Sequence, residues 1–122
     1  MNNLYGRSVF FVADAERSLG FYTGTLGFSL DWKYEERGRA FVLQVSLLGF
    51  ELILNETGPR TKDRAGHGRV FIGLDADQVG RFHGLIRDKA IETEVVEWGR
   101  PTLVIRDPDK NELFVWPERD GA

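Results

Sequence analysis

Two glutamates at matching points of the chain are the residues best placed to do chemistry. Glu51 and Glu112 lie 61 residues apart, and each opens an apolar segment that continues with leucine. A carboxylate in such a position can act as a general base or hold a cation. Cysteine is absent, which excludes disulfides, thiolate metal sites and cysteine nucleophiles. His67 lies in a polar stretch and His83 on a helical pattern, and both are more simply exposed residues than ligands.

The offset of 61 residues runs through the whole chain and is not a property of these glutamates alone. Identical residues recur at this offset without a gap: Val9 and Val70, Phe10 and Phe71, Asp14 and Asp75, Ala15 and Ala76, Phe21 and Phe82, Gly38 and Gly99, Arg39 and Arg100, and Leu52 and Leu113. Two copies of this length indicate a duplicated supersecondary module rather than a solenoid of short repeats. Such a duplication makes a pocket between two similar half-sheets, and we expect the functional site there.

Each copy has the pattern of a strand, a helix and three further strands. The first copy contains predicted strands at 7–12, 28–34, 39–46 and 50–55 and a helix at 15–26. The second contains predicted strands at 69–74, 91–98, 102–106 and 112–116 and a helix at 78–89. In the second strand, Leu30, Trp32 and Tyr34 alternate with polar residues, which predicts one apolar face.

These patterns predict an α+β fold, built as one domain over residues 1–122. Two tandem β-α-β-β-β modules, at about 5–55 and 69–117, would form a curved mixed sheet around a pocket, with the helices on the outer face. The polar, glycine-containing segment 56–68 would be a mobile linker, and Pro117 would end the last strand.

Composition narrows the function classes. With 42% hydrophobic and 29% charged residues the chain resembles an ordinary globular domain, and it has no apolar run of membrane-spanning length. The start of the chain has no signal-peptide pattern, so the expected location is the cytoplasm. A net charge of −3 gives a nucleic-acid partner no electrostatic help and favours a cationic ligand only weakly.

Two motifs give the chain a family resemblance. The first is V-x-D-x-x-x-S-x-x-F-Y-x-x-x-L-G-F over residues 12–28, and the second is the D-P-D-x-N turn over residues 107–111. With the paired modules, they make the chain resemble the vicinal oxygen chelate superfamily over about residues 7–117. That group includes glyoxalase I, extradiol dioxygenases, fosfomycin resistance proteins and bleomycin resistance proteins. The resemblance is specific for fold and weak for activity, because one scaffold there hosts several chemistries.

The resemblance also implies four positions for the ligands of a divalent metal. They are occupied here by Arg7, Glu51, Arg69 and Phe114. A guanidinium has no lone pair to offer and a phenyl ring has no donor atom, so Glu51 is the one plausible ligand among them. Glu112 lies two residues before Phe114 on the same strand face and could substitute for it. Even so, two carboxylates with two arginines form an ion-pair cluster rather than a chelate, and we expect no metal and no other cofactor.

Two interpretations of the charged residues stay open. Arg7 and Arg69 can satisfy Glu51 and Glu112 and lock the two half-sheets together, or the four can contact a ligand. Aromatic residues near the same strands add flat apolar surface suited to planar ligands. The predicted ligand-binding residues are Arg7, Trp32, Tyr34, Phe41, Glu51, Arg69, Trp98, Glu112, Phe114 and Trp116.

The resemblance points to the metal-free branch of the bleomycin resistance type. It implies a dimer that sequesters an antibiotic or aromatic natural product in a cleft where two chains meet, without catalysis. The alternative is a divergent lyase, isomerase or dioxygenase that uses Glu51 or Glu112. A third possibility is an interaction domain whose pocket is filled by its own side chains. Catalytic residues are not assigned under the first hypothesis.

Overall fold

The computed structural model describes residues 4–116, so the predicted strand end at Pro117 lies outside the described residues. The α+β prediction with two β-α-β-β-β modules is confirmed. The strands form two separate four-stranded sheets, neither of which closes on itself. No helix within the described range 4–116 is long and apolar enough to cross a membrane.

The first module starts with strand β1 (Ser8–Val12) and helix α1 (Ala15–Gly20), which continues as a π-helical turn (Phe21–Thr25). Strands β2 (Ser29–Glu36), β3 (Arg39–Leu47) and β4 (Phe50–Glu56) follow, in the sheet order β1-β4-β3-β2. Asp14 caps α1 by accepting a hydrogen bond from the Arg17 backbone N–H. Gly27 ends the helical segment with φ of +83°, a conformation that glycine adopts without strain.

The second module repeats this order after a 3-10 turn (Lys62–Arg64) in the linker. It contains β5 (Arg69–Gly73), α2 (Ala76–Asp88), β6 (Glu94–Glu97), β7 (Pro101–Arg106) and β8 (Glu112–Trp116), in the sheet order β5-β8-β7-β6. Asp75 and Gln78 form a capping box at the start of α2. In both sheets the first strand pairs in parallel with the last, which is why residues far apart in sequence meet at this edge.

One apolar core is shared by the two modules. It contains Phe10, Val12, Leu52 and Leu54 from the first sheet and Leu113 and Val115 from the second. Each helix packs on this core side of its sheet, with Tyr22 fully buried from the first module and Phe82 from the second 5% exposed. The opposite face of each sheet is left open.

The D-P-D-x-N turn joins the second module to the first. Asp107 accepts a hydrogen bond from the buried Tyr22 hydroxyl at 3.1 Å, and Asn111 Nδ2 donates to the Phe11 carbonyl at 3.0 Å. Asp109 accepts from the Ala13 backbone N–H and from Arg17, each at 3.1 Å. The D-P-D-x-N turn therefore forms the polar contact between the modules. We call this contact the Asp107 clasp.

The linker is tied to the same region. Thr57 N–H donates to the Val12 carbonyl, and Gly66 N–H donates to the Phe11 carbonyl. Gly68 N–H donates to Asn111 Oδ1 at 2.8 Å. These bonds hold both ends of the linker, and its mobility stays a prediction.

The second strand departs from the sequence prediction. A β-bulge lies between Leu30 and Trp32, so Leu30 pairs with the core residue Val45 while Trp32 pairs with Gln44 on the open face. The expectation that Leu30 and Trp32 share one face is therefore wrong. The extra residue, Asp31, also reaches the open face, where it accepts hydrogen bonds from Gln44 and Ser46, each at 2.9 Å.

Candidate functional site

The predicted ligand-binding residues lie along the open sheet faces and not in the core between the modules. Strand alternation explains this, because Arg7 and Glu51 share the parity of Val9 and Ile53, opposite the buried Phe10 and Leu52. Phe41 lies at a second irregularity in the pairing of β2 and β3 and lines a shallow depression with Phe11 and Asn55. The first sheet carries Arg7, Trp32, Tyr34, Phe41 and Glu51, and the second carries Arg69, Trp98, Glu112, Phe114 and Trp116.

Four aromatic rings form a cluster on the open face of the second sheet. Trp98 packs edge-on against Phe114 with ring centroids 5.1 Å apart, and Phe71 packs edge-on against Trp116 at 4.9 Å. Phe71 links the pairs at 5.8 Å from Trp98. Phe114 is buried as the floor of the cluster, whereas Phe71 and Trp98 are 45% and 40% exposed. We call Phe71, Trp98, Phe114 and Trp116 the aromatic platform.

Arginines flank the aromatic platform. The guanidinium carbon of Arg69 lies 4.1 Å from the centroid of the Phe114 ring, and that of Arg100 lies 4.6 Å from the Trp116 ring. Both distances are within the range of cation–π attraction. The platform therefore combines exposed aromatic surface with cationic edges.

A chain of ion pairs starts at Arg69 and continues along this face. Glu112 Oε1 accepts two hydrogen bonds from Arg69, at 3.0 and 2.9 Å, and its Oε2 accepts one from Arg106 at 3.1 Å. Arg106 also pairs with Glu94. The hydrogen bond to Glu94, followed by that to Glu112, raises the pKa of Arg106, which stays charged.

The open face of the first sheet carries fewer aromatic residues than that of the second sheet and is more acidic. Trp32 and Tyr34 are 44% and 55% exposed. Beside them Arg7 Nε donates to Glu51 Oε1 at 2.9 Å, and the buried Gln44 amide donates to Asp31 and, at 3.4 Å, to Glu51. Hydrogen bonding with Tyr5 and with Glu51 raises the pKa of Arg7.

The two ion pairs lie within single sheets. Arg7 immediately precedes β1 and pairs with Glu51 on the neighbouring β4, and Arg69 and Glu112 come from the equivalent β5–β8 pair. The interpretation that the arginines and glutamates satisfy one another is confirmed, but the interpretation that they lock the two half-sheets together is wrong. The clasp around Asp107 does that instead.

The residues at the four expected ligand positions do not fit a divalent metal. Arg7 and Arg69 present guanidiniums, Phe114 presents a ring, and the Glu51 carboxylate is already held by Arg7 and Gln44. Within the described stretch 4–116, no three His, Asp or Glu side chains come together as a possible metal site. Both histidines are exposed.

The structure also contains a cavity that the sequence did not indicate. It has a volume of about 310 Å³ and lies between the modules on the core side, against α2, the β5 edge and the turn after β3. None of the ten predicted binding residues lines it. The available signal was the apolar turn Leu47-Leu48-Gly49-Phe50, because turns of this kind are normally polar.

Comparison with known proteins identifies the fold. A family model described as the Glyoxalase/Bleomycin resistance protein/Dioxygenase superfamily matches residues 5–115. Among curated protein sequences, none matches this chain.

The names of solved structures with the same fold describe different activities. TnmS3, an antibiotic binding protein from Streptomyces sp. CB03234, is 24% identical over 94% of this chain and 97% of its own, with a TM-score of 0.61. The bleomycin-binding protein from bleomycin-producing Streptomyces verticillus, solved with copper(II)-bleomycin, is 19% identical over 94% and 96% of the two chains, with a TM-score of 0.68. Lactoylglutathione lyase from Agrobacterium tumefaciens is 16% identical over 93% and 92%, with a TM-score of 0.61. Identities this low establish a shared fold alone.

Proposed function

We propose a binding function for this chain, which belongs to the glyoxalase/bleomycin resistance protein/dioxygenase superfamily. It binds a planar aromatic small molecule, of the antibiotic or natural-product kind, without a metal ion and without chemical conversion. The ligand lies on the open sheet faces, with the aromatic platform as its main contact.

The observation that carries this proposal is the exposure of the aromatic platform. Large apolar rings are normally buried, and a contiguous exposed group of them marks an interaction surface. Phe71 and Trp98 remain nearly half exposed although their rings contact each other and Trp98 packs edge-on against the buried Phe114. Rings held in this way are pre-organised, so a flat ligand loses little free energy to side-chain ordering when it binds.

The residues at the expected metal positions support a metal-independent mode. Arg69 is held in place by Glu112 and lies over Phe114, so the space that a cation would need is occupied by a guanidinium. The antibiotic-binding proteins among the structural neighbours are consistent with sequestration.

We also propose that the functional unit is a homodimer. The open face of the first sheet presents Trp32 and Tyr34 beside the acidic pair Asp31 and Glu51. That face is complementary in charge to the arginine-flanked platform of the second sheet. A second copy could therefore cover the ligand, and light scattering of the purified chain at several concentrations measures this. The cytoplasmic location stays a prediction.

Isothermal titration calorimetry tests the binding function. The purified chain is titrated with metal-free bleomycin and, separately, with naphthalene-2-carboxylate, each with and without EDTA. We expect saturable binding of at least one compound, unchanged by EDTA and accompanied by quenching of tryptophan fluorescence. Binding that disappears with EDTA, or no binding of either compound, contradicts the proposal.

The enzyme hypothesis has less support from the geometry. A general base needs a lone pair directed at its substrate. Both oxygens of Glu112 accept hydrogen bonds from arginines, and those of Glu51 accept from Arg7 and Gln44. An assay for proton exchange at a substrate carbon, compared between the unaltered chain and Glu51→Gln, is the corresponding test.

A further inference from the structure

The duplication gives the chain two quasi-equivalent contacts between a helix of one module and a turn of the other. In the first, the α1 segment meets the turn 107–111 of the second module. In the second, α2 meets the turn 46–50 of the first module, which lies at the same repeat position. If the copies were alike, the two contacts would be packed alike.

The first contact is filled by buried side chains of both modules. Tyr22 is 0% exposed, packs edge-on against Phe28 at 5.3 Å, and donates its hydroxyl hydrogen to Asp107. Asn111, also 0% exposed, donates to the Phe11 carbonyl. Side chains from both modules therefore occupy the space between this helix and its turn.

The second contact is open. The repeat partner of Tyr22 is His83, which is exposed and does not enter the space between α2 and its turn. Gln78 Nε2 donates to the Leu48 carbonyl at 2.8 Å, and within residues 4–116 no other side-chain hydrogen bond joins α2 to this turn. The cavity of about 310 Å³ lies at this contact.

The lining of the cavity defines the chemical class of a ligand. It is formed by apolar side chains of both modules, including Leu26, Leu48, Phe50, Phe82, Leu85 and Ile105. Gln78 also lines it, but its Nε2 already donates to Leu48 and its Oε1 accepts from the Asp75 backbone N–H. Such a wall suits a neutral molecule without hydrogen-bonding groups.

The volume defines the size of that molecule. An apolar cavity of about 150 Å³ is large enough to bind benzene. The cavity of about 310 Å³ has room for a molecule of about two fused rings. It lies on the core side of the second sheet, and Phe71 is the one platform residue that also lines it; Trp98, Phe114 and Trp116 do not.

We propose that the cavity between α2 and the turn 46–50 is a second binding site, which takes a small neutral apolar molecule independently of the open sheet faces. The space is open because His83, at the repeat position of Tyr22, is exposed and does not fill it. Its ligand contacts both modules and stabilises their association beside the Asp107 clasp.

Methyl NMR of the full, unaltered chain titrated with naphthalene tests this proposal. The methyl signals of Leu48, Leu85 and Ile105 should shift saturably, whether or not binding at the platform also shifts the indole N–H signals of Trp98 and Trp116. Shifts confined to the indole signals, or no methyl shifts, overturn the second site. The first of those results would leave the open-face proposal supported, so the two proposals fail separately.

A matched pair of variants localises the binding. Leu85→Trp places a larger side chain into the cavity and should weaken naphthalene binding by about ten-fold or more, whereas the volume-conserving Leu85→Met should leave it nearly unchanged. Neither change alters a platform residue, so the titration with naphthalene-2-carboxylate should be the same in both. Equal naphthalene affinity in Leu85→Trp and the unaltered chain overturns the proposal.

Discussion

The guanidinium of Arg69 stacks on the ring of Phe114, with 4.1 Å between the guanidinium carbon and the ring centroid. The family resemblance expects metal ligands at both positions. Here the two residues contact each other, and Glu112 holds the arginine in place through two hydrogen bonds. These positions therefore present an aromatic surface bordered by paired charges instead of metal ligands. The proposed function depends on this difference.

The platform predicts separate effects for its two tryptophans. Trp98→Ala should weaken binding of naphthalene-2-carboxylate up to about ten-fold with little change in melting temperature, because Trp98 is 40% exposed. Trp116→Ala should lower both the affinity and the melting temperature, since the Trp116 Nε1 also donates to Thr102 Oγ1 at 2.9 Å. Calorimetry and thermal unfolding measure the two effects. A loss of stability in Trp98→Ala equal to that in Trp116→Ala would assign Trp98 to the core.

The helix cap at Asp14 predicts an acid-sensitive contribution to stability. The hydrogen bond from the Arg17 backbone N–H is the main cause that lowers the pKa of Asp14 below 3.8. The contribution is therefore fully present above pH 3.8 and is lost as the pH falls through the lower, folded-state value. Asp14→Ala should cost about 1 kcal/mol at neutral pH and less in acid, measured by urea unfolding.

Asp14→Asn is the matched control for this cap. The asparagine oxygen can still accept from the Arg17 backbone N–H, so most of the capping free energy should remain. Its contribution should not change between neutral and acidic pH, because asparagine does not titrate. A similar pH dependence in Asp14→Ala and the unaltered chain would contradict the assignment.

The clasp between modules predicts the opposite dependence on pH. Burial raises the pKa of Asp107 above 3.8, although the hydrogen bonds from Asn111 and Tyr22 oppose that rise. The folded chain then binds the proton more tightly than the unfolded chain, so this group's contribution falls as pH rises from 3.8 through the raised value. Above that value the cost of the buried charge is fully present.

Tyr22→Phe should increase that cost. Removal of the hydroxyl takes away a hydrogen bond to a buried carboxylate and should destabilise the chain by about 1.5–3 kcal/mol at neutral pH. The loss should be smaller at pH below 3.8, where Asp107 is protonated in both chains. Tyr34→Phe, at an exposed hydroxyl, is the control. If Tyr22→Phe lowers the free energy of unfolding by the same amount at every pH, the hydroxyl does not stabilise the ionised Asp107 carboxylate.

The linker predicts a sharp contrast between two of its glycines. A Cβ atom on Gly66 would lie 2.1 Å from the Asp109 carbonyl oxygen, and the φ of this glycine is +85°. Gly66→Ala should therefore lower the free energy of unfolding by more than about 1 kcal/mol. Gly58→Ala, where a Cβ would meet only Thr61 Oγ1 at 4.0 Å, should be close to neutral. Equal stability of both variants would mean that the linker is mobile rather than clasped.

Local patterns were sufficient to predict most elements of the fold. The order of a strand, a helix and three strands in each module depends on the spacing of nearby apolar residues, so the sequence shows it directly. The duplication also indicated Glu51 and Glu112 as counter-charges of Arg7 and Arg69, but not which glutamate each arginine contacts. The bulge before Trp32 could not be predicted, because it depends on how Asp31 bonds to Gln44 and Ser46 on another strand.

The core-side cavity was harder to predict for a related reason. The sequence shows that His83 replaces Tyr22 in the second copy, but not that Tyr22 inserts between modules and His83 points away. Both facts depend on how α1 and α2 meet the turns of the opposite module. Long-range packing of this kind is set by the whole core and leaves little trace in local periodicity.

Elemental analysis of the purified chain tests the central claim most directly. The chain is incubated with nickel, zinc, manganese and ferrous ions in turn, passed through a desalting column and analysed for bound metal, with Glu51→Gln treated in the same way. We expect far less than one metal ion per chain for every metal and no difference between the two proteins. Near-stoichiometric retention of any of these metals, reduced in Glu51→Gln, would contradict it.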